Sequence, residues 1–98
     1  MAAAYRLTRA AADDMVMIYL AGVDMFGPAQ AESYSDGLEA AFSCLADYPR
    51  AARLRTEMVR PVRAYPYKSH LIIYRADHDG VLIIRIRHAR EDWVAEPD

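Results

Sequence analysis

The sequence predicts an α+β domain of order β-α-α-β-β-β, an antiparallel sheet packed against an α-hairpin, and three observations predict it. Apolar residues recur at helical spacing from Met15 to Phe26 and again from Ala31 to Tyr48, with Gly27-Pro28 between the two runs. After Pro49 the period changes to two, in segments rich in β-branched and aromatic residues. The turn sequence Asp77-His-Asp-Gly80 then separates the last two such segments. Helices first and hairpin-connected strands later place the helices on one face of the sheet. A chain of 98 residues forms a single domain, residues 1–98.

Tyr5-Arg-Leu-Thr reads as a short first strand. Thr8 suits the N-cap of the following helix, with Asp13 and Asp14 near its positive end. Met15, Ile18, Tyr19, Gly22, Val23 and Phe26 form one stripe, and Val16, Met17 and Leu20 add apolar surface beside it. Pro28 fits the first position of the second helix, where its missing N–H has no partner to lose. A connection of about two residues forces the helices antiparallel.

Arg50 to Glu57 is a basic connector. Val59-Arg-Pro-Val-Arg-Ala-Tyr65 alternates like a strand, but Pro61 cannot donate to a ladder and marks an edge or an entry. His70-Leu-Ile-Ile-Tyr-Arg75 and Val81 to His88 form a hairpin. Strict alternation through the last strand puts Leu82, Ile84, Ile86 and His88 on one face and Val81, Ile83, Arg85 and Arg87 on the other.

The formal charge of −2 conceals an asymmetry: residues 1–48 carry −5, residues 50–90 carry +7 and the last eight carry −4. The basic half can attract an acidic or nucleic-acid-bearing partner. Cys44 is the one cysteine, which excludes an internal disulfide and suits a reducing cytoplasm. Its place on the second helix reads as a core or boundary thiol. The longest apolar stretch, Met15 to Val23, is far short of the roughly 20 residues of a membrane helix. A glycine-rich phosphate loop, a metal cluster and a Ser-His-Asp arrangement are all missing, so no cofactor and no metal are expected; His70 and His78 lack a third ligand.

Several segments together resemble the ParE/RelE toxin superfamily, and its ParE branch in particular. They are Tyr5-Arg-Leu-Thr, the helical pair with its Tyr48-Pro-Arg exit, Val59-Arg60-Pro-Val-Arg63, His70-Leu-Ile-Ile-Tyr74-Arg75, and Ile84-Arg85-Ile86-Arg87-His88-Ala-Arg90. The resemblance runs from about residue 5 to residue 93. It departs at Ala51-Ala52, where family members usually carry a glycine. It implies the toxin of a type II toxin–antitoxin system, cytoplasmic, held in a hetero-oligomer by a ParD-like antitoxin, that inhibits DNA gyrase by binding and is not an enzyme. The other branch implies a RelE-like ribosome-dependent mRNA endonuclease, and a third possibility is a non-toxic relic that only binds antitoxin.

For a nuclease the candidates are Glu57 as base, Arg75 as phosphate clamp and His88 as acid. The residue after His88 is Ala89, where such nucleases carry a base-stacking aromatic, so the expectation is no catalytic site. Arg60, Arg63, Arg75, Arg85, Arg87 and Arg90, with His88, are expected to form a target-binding patch, because guanidinium forks suit phosphates and carboxylates. The alternative is a solvated sheet face paired with local acids such as Asp92. Val16, Met17, Leu20 and Ala21 are expected to bind the antitoxin, since a helix apolar on more than one face cannot bury everything within so small a domain. Trp93 pins the tail or anchors an interface.

Overall fold

The computed structural model describes residues 5–56 and 60–91. The elements are β1 (Tyr5–Leu7), α1 (Arg9–Phe26), α2 (Pro28–Asp47), β2 (Leu54–Arg55), β3 (Val62–Tyr67), β4 (His70–Asp77) and β5 (Gly80–His88). They form one five-stranded sheet in the order β1-β5-β4-β3-β2, with the helical pair on one face. The α+β class therefore holds, with two corrections. The basic connector contains the short strand β2, which pairs antiparallel with β3 through Leu54 and Arg55. The sheet is also mixed, because β1 runs parallel to β5, Tyr5 opposite Val81 and Leu7 opposite Ile83. The strand read from Val59 begins at Val62, one residue after Pro61.

Local chemistry explains the helices. Thr8 has extended backbone, and its Oγ1 accepts from the Ala11 N–H at 3.0 Å. Gly27 alone joins the two helices at φ 92°, a conformation that strains any residue with a Cβ, and Pro28 follows at the first turn of α2. Gly22 lets the helices approach, since a Cβ there would lie 3.2 Å from that of Ala31. Neither Asp13 nor Asp14 lies in the first turn of α1, so the dipole role expected of them is corrected. Asp14 has a different task, described below.

Between helices and sheet lies the main core of Leu38, Phe42, Leu45, Ile72, Tyr74, Val81, Ile83 and Ile86, with Tyr5 and Leu7 against it. Burial of each large side chain contributes roughly 1.5–3 kcal/mol. Tyr74 is fully buried, and its hydroxyl donates to the Pro49 carbonyl at 2.8 Å while accepting from the Ala52 N–H at 3.3 Å. That pair of bonds pins the exit of α2 to the sheet. Burial pushes the Tyr74 phenol above its ordinary pKa.

A second cluster, Val62, Ile73 and Ile84 with Ala64, Leu71 and Leu82, lies on the other face of the sheet. The alternation predicted for β5 is corrected here. Ile73 pairs with Arg85 and Tyr74 with Ile83, so Ile84 is an extra residue and the strand bulges. Leu82 and Ile84 face outward, whereas Ile86 joins Val81 and Ile83 in the helix-facing core. The bulge falls where β1 gives way to α1. There the Thr8 N–H donates to the Ile83 carbonyl at 3.0 Å and its hydroxyl to the Ile84 carbonyl at 2.7 Å.

Candidate functional site

The surplus apolar surface of α1 forms one wall of a groove of about 710 Å³. Met17, Ala21 and Met25, one turn apart, lie along it with Ile18, Gly22 and Phe26. Met17 is 65% exposed and Met25 69%, so this wall is open to solvent along its length. Facing it are Tyr34 from α2, Lys68, Ser69 and His70 from the β3–β4 turn, and Ile86, His88 and Glu91 from the end of β5. Of the four residues expected to contact an antitoxin, the structure places Met17 and Ala21 in the groove. Val16 and Leu20 are exposed on the same helix but do not line it.

The opposite wall is aromatic and titratable. The Tyr34 Oη and the His70 Nδ1 share a hydrogen bond of 2.8 Å. The Tyr34 ring stands edge-on to those of Tyr67 and His70, at 5.4 and 5.5 Å between centroids, and His70 stands edge-on to His88 at 5.4 Å. Lys68 occupies the turn with φ 50°, its ammonium 5.8 and 5.5 Å from the centroids of Tyr34 and Tyr67. Burial, and next the neighbouring His88, hold His70 below the ordinary imidazole pKa, so it is neutral at pH 7. Burial raises the Tyr34 phenol.

Both carboxylates lining the groove are already engaged. Asp14 accepts from the Arg85 Nε at 2.8 Å, from its Nη2 at 3.0 Å and from the Ile86 N–H at 3.0 Å. The last contact caps a β5 amide beyond the reach of β1, so Asp14 completes the sheet edge. Glu91 accepts from the His88 N–H and from Arg87 Nε, each at 3.0 Å. The His88 N–H, first among these, holds the Glu91 carboxyl below its ordinary pKa.

The arginines expected to form one patch are distributed over several environments. Arg63 stands opposite Tyr74 and donates to the Ala52 carbonyl at 2.7 Å, securing the loop after α2. Arg85 is paired with Asp14 and Arg87 with Glu91. Arg75 stands opposite Leu82, on the outer face, while Arg60 and Arg90 lie exposed beyond the strand ends. His88 lines the groove on the helix side, and its Nδ1 accepts from the Arg90 N–H at 3.1 Å.

Of the nuclease candidates, Glu57 lies outside the described residues, as do Val59, Asp92 and Trp93. Arg75 and His88 do not converge: His88 is on the opposite face and six residues beyond the partner of Arg75, about 20 Å along a strand. Cys44 is exposed, which corrects its reading as a core or boundary thiol. His78 is far from His70 in environment, exposed beside Asp79 at 3.5 Å. Among the described residues no three His, Cys, Asp or Glu side chains could hold a metal ion, and no helix is long and apolar enough to cross a membrane.

Sequence reasoning did not find Tyr34, Lys68 and His70 as a unit. Tyr34 sits in a helical apolar stripe that hides its hydroxyl. A signal did exist, since Lys68 is the only lysine in a chain of eleven arginines and lies between Tyr67 and His70.

A family model described as "ParE toxin of type II toxin-antitoxin system, parDE" matches residues 5–93. No curated protein matches the sequence significantly. Among solved structures, one titled "Chromosomal ParDE TA system from P. aeruginosa" is similar with a TM-score of 0.74 and 22% identity. The match covers 89% of this chain and 96% of that one, and at this identity it speaks for the fold.

Proposed function

The chain belongs to the ParE toxin family of type II toxin–antitoxin systems, and from that premise we propose that it is a cytoplasmic toxin, silenced by a ParD-like antitoxin and directed at DNA gyrase through binding. The observation that carries the silencing step is the open wall of Met17, Ala21 and Met25. Its one-turn spacing suits an amphipathic helix laid into the groove, with Val16 and Leu20 meeting a further part of the same wrapping segment.

Action without catalysis is supported by the separation of Arg75 from His88 and by the engagement of Asp14 and Glu91 with arginines. The surface offered to gyrase is the outer sheet face and the strand ends, where Arg75, Arg60 and Arg90 stand. Arg85 and Arg87, opposite Ile73 and Leu71, support that face through their pairings, whereas Arg63 secures the loop after α2 on the helix side.

Co-expression with a ParD-like antitoxin tests the docking. Met17→Glu together with Met25→Glu places two charges on the wall, and co-purification should fall at least about a hundredfold with the thermal melt unchanged. Undiminished co-purification would remove the groove from the antitoxin footprint. Inhibition of supercoiling by purified gyrase, reduced in Arg75→Glu, tests the target. Ribosome-dependent RNA cleavage lost in His88→Ala would replace the binding mechanism with the nuclease one.

A further inference from the structure

We propose that the Lys68 end of the groove, with Tyr34, His70 and His88, is a carboxylate-binding site that anchors an acidic group of the segment lying on the apolar wall. The inference rests on the antitoxin-docking reading and deepens it by naming the chemistry of the occupant: an amphipathic protein segment with an acid at one end.

Charge complementarity carries the argument. The two acids that line the groove, Asp14 and Glu91, are saturated by Arg85, Arg87 and backbone N–H groups, so they neither repel an incoming carboxylate nor neutralise Lys68. Among the described residues Lys68 forms no ion pair; its ammonium rests on the faces of Tyr34 and Tyr67, a platform that fixes its position without cancelling its charge. His70, half-buried beside it, uses Nδ1 on Tyr34, and its ring makes no other hydrogen bond among the described residues. An acid arriving here meets one fixed cation and two imidazoles, while the rest of its segment meets Met17 and Met25. A nucleic acid fits this surface poorly, because the remaining wall is apolar and offers one cation rather than a row of them.

The groups around His70 decide the proton balance. Tyr34 faces it from α2, Asp14 lines the groove from α1, Lys68 and Tyr67 come from the turn, and His88 and Glu91 from the end of β5. In the free protein burial keeps His70 neutral. A carboxylate held beside it favours the imidazolium, so binding of the acid raises the proton affinity of the ring.

Octanoate is the probe, its carboxylate standing for the acid and its tail for the apolar partner. In NMR titrations of the intact chain, octanoate should shift the ring signals of His70 and His88 and move the His70 titration midpoint upward, while octylammonium should do neither. Lys68→Ala should weaken octanoate at least tenfold, and Lys68→Arg should restore most of the binding. Lys68 is exposed, so neither change disturbs the core. Octanoate leaving both rings unmoved, or bound equally by Lys68→Ala, overturns the proposal. The antitoxin experiment with the Met17 and Met25 variants is read separately. Its success beside an octanoate failure overturns only the carboxylate site, and its failure beside an octanoate success overturns only the docking.

Discussion

Gly37 gives the sharpest test of how the groove is built. It lies in the middle of α2, where glycine is less favourable than alanine by about 0.5–1 kcal/mol, so helix propensity alone makes Gly37→Ala stabilising. A Cβ at that position, however, would stand 1.8 Å from the Tyr67 Oη and 2.9 Å from its Cζ. Ordinary contact is about 3.5 Å, so the Tyr67 ring must retreat by about 1.5 Å or more. Retreat breaks its edge-on contact with Tyr34, worth about 0.5–1.5 kcal/mol, and forces repacking at about 1–3 kcal/mol. Set against the propensity gain, the net is a destabilisation of about 0.5–4 kcal/mol, a melting point lower by about 2–30 °C for a domain of this size. In a Tyr67→Ala background the same substitution should stabilise by about 0.5–1 kcal/mol, since only propensity remains. The assay is a double-mutant cycle by thermal and urea denaturation. A higher melting point for Gly37→Ala in the otherwise unchanged chain would refute the close approach and the tyrosine platform beneath Lys68.

Two further outcomes follow from the sheet edge and the histidine pair. Asp14→Ala removes one ion pair of Arg85 and the acceptor of the Ile86 amide; with Arg85 partly solvated, the loss should be about 1–2 kcal/mol in urea, accompanied by faster exchange of the Ile86 amide. An unchanged exchange rate would show that Asp14 does not close the edge. The folded-state pKa of His70 lies below its ordinary 6.5, so between the two values the unfolded chain binds more protons than the folded one. Stability is therefore full above about pH 7 and falls as the pH drops through 6.5 toward the folded value. His70→Gln should flatten that fall, and an equally steep decline in the variant would assign it to another group.

Much of the fold is readable from the residues, because it rests on local chemistry. Thr8, Gly27-Pro28 and Asp77 to Gly80 act through their own backbone preferences, and the apolar periods name the helices and the β4–β5 hairpin without tertiary knowledge. The errors arise where tertiary contacts override the period. The Ile84 bulge changes the facing of Ile86 and His88, and nothing in Leu-Ile-Ile-Arg-Ile-Arg-His announces an inserted residue. Parallel pairing of β1 with β5 joins residues far apart in the chain, which alternation cannot register. Asp14 looked like a helix-dipole residue because its partner, Arg85, is 71 positions away. The site was half readable for the same reason: Met17 and Ala21 declare themselves by surplus hydrophobicity, whereas Tyr34, Lys68 and His70 meet only after the sheet and helices assemble.

The first strand has its only described neighbour in the last one, and Thr8 reaches Ile84 across 76 positions. During synthesis at about 5–20 residues per second, Tyr5 to Thr8 wait about 4–15 s before the complementary backbone exists. A message truncated ahead of Val81 yields a product without the partner for β1, the Asp14 seam or the Ile86 and His88 floor of the groove. Translation must therefore pass His88 before either the groove or the finished sheet exists, so a chain interrupted earlier has neither.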